Sequence, residues 1–114
     1  MFPNRRKHNS KRVKDRMRFP SHTAWVRGFE CSVPGCQLVP IEAAHVRVGT
    51  GGGMAIKPHD KWVIPLCRDH HSEQHRVGEQ SFERAHGIDM KKIAERLAAT
   101  SPHRFKWLEA ENDD

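Results

Sequence analysis

The clearest helical period lies late in the chain. In "DMKKIAERLAAT", Met90, Ile93, Ala94 and Leu97 recur at three- and four-residue spacings and fall on one helix face. Asp89 stands where a side-chain cap belongs. Upstream, "EQSFERAHG" predicts a short helix closed by Gly87. Downstream, "SPHRFKWLEA" predicts another, with Ser101 as its cap and Pro102 at the first helical position. The middle of the chain follows a different pattern. "IEAAHVRV" (41–48) is rich in β-branched and small residues and predicts a strand, and "KWVI" predicts a short second one. The stretch "GTGGGMAIKPHD" between them is a glycine-rich connection. A helix is then predicted to start between Pro65 and Arg68 and to run to Val77, with Gly78 as its stop. Nearer the start, "PSHTAWVRGF" predicts a short helix with Ser21 as cap, Trp25 and Val26 buried, and an end near Gly28.

Composition narrows the class. A chain of 114 residues makes one small domain, read here as residues 21–110 between a basic flexible arm (1–20) and a frayed acidic tail (111–114). The arm carries Arg5, Arg6, Lys7, Lys11, Arg12, Lys14, Arg16 and Arg18 against a single acid, Asp15, and has no sustained apolar period. Net charge is +6, which favours a polyanionic partner; phosphate contact by the arm would be salt-dependent. No apolar run reaches the roughly 18 residues that a membrane span needs, and no apolar stretch follows the N-terminal charges as in a secretory leader. The expectation is therefore a cytoplasmic protein with no membrane partner. The glycine loop lacks the Lys-Ser/Thr of a phosphate-binding P-loop.

Three cysteines cannot close into a disulfide framework without one left over. They fit metal better. Cys31 and Cys36 flank the turn "SVPG", and Cys67 and His70 lie two residues apart, which gives two chelating pairs for a structural Zn2+. "PLCRDHHSEQH" (65–75) holds further histidines. On a helix His71 and His75 project from the same face, whereas His70 lies about 140° away from His75. His70 is thus assigned to the zinc staple, and His71 with His75 to a second donor pair. His45 would sit in a half-buried strand.

Two strands followed by a histidine-bearing helix resemble the HNH, or ββα-metal, endonuclease superfamily. The resemblance rests on His45 in "EAAHVR", Asp60 in "KPHDKW", and "LCRDHHSEQH". The outer cysteines resemble the zinc knuckle that many of its members carry. The run over residues 22–90 looks closest to small phage and prophage nucleases of the YbcO- and Ref-like group. The resemblance implies an α+β fold: a small ββα-metal core with a zinc knuckle and flanking helices. It implies His45 as general base for phosphodiester hydrolysis of DNA, leaving a 5′-phosphate, since an imidazole neutral at cellular pH suits that task. His71 and His75 would hold one catalytic divalent ion (Mg2+, Mn2+, Zn2+ or Ni2+), and Asp60 would either orient His45 or complete the metal shell. Arg47, Lys57, Arg68 and Arg76 join the arm as candidate phosphate contacts. A phage or host recombination protein and a second copy of the chain are candidate partners. Two departures stand out: Ala44 precedes the base where many members have a metal-ligating residue, and Asp60 replaces an asparagine. The competing reading is a non-catalytic, zinc-stapled nucleic-acid-binding module.

Overall fold

A computed structural model of the chain describes residues 17–50 and 58–111. Helix α1 (Pro20–Val26) leads to an antiparallel pair, β1 (Ile41–His45) and β2 (Val63–Cys67). Four helices follow: α2 (Arg68–Val77), α3 (Glu79–His86), α4 (Met90–Thr100) and α5 (Phe105–Glu111). The domain is a small α+β unit with a two-stranded sheet. None of its described helices is long and apolar enough to cross a membrane.

The strands pair from Ile41 opposite Cys67 to His45 opposite Val63. β1 is three residues shorter than its sequence suggests. After Val46 donates to the Trp62 carbonyl at 2.8 Å, the next two N–H groups, of Arg47 and Val48, turn to the Glu79 carboxylate at 2.9–3.0 Å. A carboxylate replaces the neighbouring strand, and the ladder stops. β2 starts later than expected and passes through Pro65 directly into α2. Val46 and Arg68 donate to the Trp62 and Pro40 carbonyls, so even-numbered residues make the rungs and Pro65 falls at a position facing away from β1. Its missing N–H therefore costs no rung.

Every residue of β2 is buried. Ile64 and Leu66 join Ala44, Val46, Phe82, Met90 and Ala94 in one core, together with Cys31, Val33 and Cys67. Each fully buried side chain of the size of Phe82, Ile64 or Leu66 contributes about 1.5–3 kcal/mol. The α4 period is realised with Met90 and Ala94 buried, while Ile93 packs at the core's edge. Asp89 caps α4 by accepting from the Lys92 N–H at 3.1 Å, and Gly87 ends α3 at φ 64°.

Two capping expectations are corrected. α1 begins at Pro20, and the Ser21 hydroxyl is held by the Lys106 ammonium at 2.9 Å; the helix ends at Val26, near Gly28 as expected. α5 begins at Phe105. Ser101 is fully buried, bonded to His22 Nδ1 at 2.9 Å, and accepts from the His103 N–H in a turn that precedes the helix. In both places a tertiary partner takes the hydroxyl that a helix end would use. The arm boundary moves as well: Phe19 is buried and Met17 and Arg18 bond to the segment around Asp60, so packed structure begins before residue 20. Residues 1–16, 51–57 and 112–114 lie outside the described residues. With them lie Arg5, Arg6, Lys7, Lys11, Arg12 and Lys14 of the arm, Lys57, and most of the acidic tail.

Candidate functional site

Two groups of side chains meet on opposite sides of α2. The first is sulfur-rich. A turn with Gly35 at φ 81° brings Cys36 back towards Cys31, and the Cys36 N–H closes it on the Val33 carbonyl at 3.0 Å. Cys67 ends β2 and caps α2, its Sγ accepting from the His70 N–H. The ligating atoms of Cys31, Cys36, Cys67 and His70 all lie within 4.8 Å of one another. Cys31 Sγ and Cys67 Sγ stand 3.4 and 3.2 Å from His70 Nδ1, and Cys36 Sγ is 3.9 Å from Cys67 Sγ. Ordinary bond lengths around a tetrahedral zinc ion give sulfur–sulfur and sulfur–nitrogen separations of about 3.8 and 3.6 Å. The cluster therefore has the donors and spacing to bind a metal ion such as zinc. Burial pushes the Cys31 thiol up to about 11, so a cation must displace a proton to bind there. Behind the cluster, Glu73 and His86 sit with His70 as a further group of donors within 4.8 Å. The Glu73 carboxylate bonds His86 Nε2 at 3.1 Å. This backing group went unread in the sequence, although the i, i+3 spacing of His70 and Glu73 on a helix was a usable signal.

The second group lines a cleft of about 800 Å³ formed by His45, Arg47, His71, Gln74, His75 and Glu79, among others. His71 Nε2 and His75 Nε2 approach to 3.2 Å. On the far side of its ring, His71 Nδ1 meets Glu42 Oε1 at 2.7 Å. That contact settles the tautomer of a neutral His71: Nδ1–H donates to the carboxylate, and the Nε2 lone pair faces His75. Two imidazole nitrogens converging in this way fit a shared cation. The hydrogen bond from His71, with Arg68 nearby at 3.7 Å, holds the Glu42 carboxyl below its ordinary range. Among the described residues no third Cys, His, Asp or Glu joins the pair closely enough to make a three-donor group.

His45 enters the cleft from the end of β1. Its Nε2 bonds Asp60 Oδ1 at 2.9 Å. Asp60 is 5% exposed, and its carboxylate also accepts from Arg18 Nη1 at 2.8 Å and from the Phe19 N–H at 2.7 Å. Burial alone would raise its pKa; the bonds from His45, Phe19 and Arg18 outweigh that and bring it to about 2. Asp60 thus bonds the His45 ring directly. Asp60 belongs to no group of metal donors among the described residues. Of the cationic candidates, Arg47 lines the cleft, whereas Arg68 and Arg76 are exposed on α2 and do not line it. Arg18, Glu42 and Glu79 bond to Asp60, His71 and the backbone of Arg47 and Val48, contacts that no local motif announced.

The family model described as "Protein of unknown function (DUF968)" matches residues 7–101. The chain belongs to this family. The DUF968 match takes in all four residues of the sulfur cluster, both walls of the cleft and Arg18, and it stops before α5. Among curated proteins, the chain is similar to the Uncharacterized protein YdfU of Escherichia coli (strain K12), at 38% identity over 73 residues. That alignment covers 63% of this chain and 20% of YdfU, so the chain spans about a fifth of its relative's length. No solved structure matches.

Proposed function

We propose that this DUF968 domain is a metal-dependent DNA endonuclease of the HNH kind, with a structural Zn2+ in the Cys31, Cys36, Cys67, His70 cluster. One observation carries the reading: a histidine oriented by a buried carboxylate shares a cleft with a convergent histidine pair. With Nε2–H donated to Asp60, a neutral His45 keeps its lone pair on Nδ1. Nδ1 takes a proton from water as the water oxygen bonds to phosphorus. The bond from phosphorus to the 3′ oxygen breaks, the phosphate stays on the 5′ side, and the 3′ oxygen leaves to be protonated by solvent. A divalent cation held by His71 and His75 would polarise the phosphoryl oxygen and offset charge on the leaving oxygen. Asp60 keeps the imidazole from rotating. Arg47 offers the cleft a positive charge for a bound phosphate. The net charge of +6 supports a nucleic-acid substrate.

A second reading, a stapled nucleic-acid-binding module without catalysis, draws on the histidine pair's lack of a third protein ligand among the described residues. Nicking of supercoiled plasmid across a panel of Mg2+, Mn2+, Ni2+ and Zn2+ decides between them. His45→Ala is expected to lower nicking by about 10²- to 10⁴-fold, with DNA binding and zinc content unchanged. Cleavage at the wild-type rate by that variant would overturn His45 as the base, and no nicking by the wild type with any of the four ions would end the nuclease reading.

A further inference from the structure

The carboxylate that orients His45 is gripped from outside its own loop. The Asp60 N–H donates to the Met17 carbonyl at 2.9 Å, and the Phe19 N–H donates to Asp60 Oδ2 at 2.7 Å. A single nitrogen of Arg18, Nη1, donates at 2.8 Å both to Asp60 Oδ1 and to the Pro58 carbonyl. Phe19 anchors this tripeptide: its ring stacks on His59 at 5.1 Å and meets Trp107 edge-on at 5.5 Å. Met17, Arg18 and Phe19 thus form a strap across the segment that presents Asp60.

Oδ1 of Asp60 is shared by Arg18 and His45. Without the guanidinium, a carboxylate 5% exposed would keep its charge with no cation bonded to Oδ1, and it would turn towards water or another donor. The imidazole would lose its fixed acceptor. We propose that Arg18 is a positioning residue for the His45 base, and that the strap divides the basic N-terminal segment into two jobs. Charges before position 17 set affinity for the polyanion; the charge at position 18 sets turnover. The inference rests on the nuclease reading for its kinetic part and on geometry alone for the state of the His45 ring.

The test uses the full-length chain with zinc supplied, supercoiled plasmid as substrate and Mn2+ as the added ion. Arg18→Ala is expected to lower kcat about tenfold or more with KM within about twofold, since a mispositioned base impairs proton transfer more than binding. Arg18→Lys should recover most of that loss, because one cationic nitrogen makes both 2.8 Å contacts. A chain with Arg5, Arg6, Lys7, Lys11, Arg12 and Lys14 all changed to glutamine should do the converse, raising KM and flattening its salt dependence with kcat intact. In parallel, ¹⁵N NMR of the His45 ring reads its tautomer. The wild type and the glutamine chain should hold the Nε2–H form, and Arg18→Ala should show a mixture. Should Arg18→Ala fail to fold, Arg18→Gln keeps most of the volume and drops the charge.

Wild-type kcat with an unchanged tautomer in the Arg18 variants overturns the proposal. So does a loss of kcat in the glutamine chain equal to that of Arg18→Ala. If no form of the protein cleaves but Arg18→Ala alone disturbs the His45 tautomer, the strap stands and the nuclease reading falls.

Discussion

His70 and His71 are neighbours on α2 and serve opposite neighbourhoods. His70 faces three sulfurs, two of them in buried cysteines; His71 faces a second imidazole one turn along the same helix, at the wall of an accessible cleft. On the sulfur side the protein supplies four donors, enough to fill a tetrahedral ion and leave nothing over. On the cleft side, among the described residues, it supplies two. Number of donors, burial and donor type all differ, in the direction that the proposed division between a structural and a catalytic ion requires. One short helix can carry both because successive residues point about 100° apart.

The largest effect should come from the sulfur side. Cys36→Ser, or exhaustive chelation of the full chain, is expected to cost about 3–5 kcal/mol or more, a fall in Tm of about 15 °C or greater by calorimetry. An unchanged melting curve would put both neighbourhoods in the same class and dissolve the contrast.

Acid probes the corner that supports the cleft. His22 is fully buried, bonded through Nδ1 to Ser101, and its Nε2 has no hydrogen-bond partner among the described residues. Burial lowers its pKa from 6.5 to about 4, against the pull of Asp60. Between those values the unfolded chain binds the proton and the folded chain does not. Stability from this group is therefore complete above pH 6.5, falls as pH drops towards 4, and is constant below, for a total of about 3 kcal/mol. Asp60, at about 2, stays charged throughout that window. His22→Phe should remove this part of the slope in urea titrations run from pH 7 to 4; a wild-type slope in the variant would assign the acid sensitivity elsewhere.

The smallest effect should come from Glu42→Gln. It should weaken divalent-ion binding in the cleft by about 10- to 100-fold, restored at higher metal concentration, and leave Tm and the metal content of the sulfur cluster unchanged. A loss of zinc in that variant would mean that the two neighbourhoods are not independent.

The sulfur cluster was legible because its donors come as two short-range pairs, one flanking a turn and the other at the start of a helix. The helix stops at Gly78 and Gly87 and the Asp89 cap were legible for the same reason: each is written within one turn of chain. What escaped the sequence is long-range. Glu42 meets His71 across 29 positions and Arg18 meets Asp60 across 42, and neither pair leaves a local signature. Arg18 was counted among eight similar charges; only its reach to Asp60 sets it apart. Ser21 and Ser101 show the opposite error, in which a plausible local role yields to a distant partner.

Pro65 has a consequence for assembly. Its outward carbonyl is taken by both the N–H and the hydroxyl of Ser32, each at 2.8 Å, and it has no N–H to offer in return. The outer margin of β2 is thereby sealed at its midpoint. An extended segment laid along that margin would meet a proline ring and an already bonded carbonyl at its centre, so this margin of β2 is a poor place to lengthen the sheet.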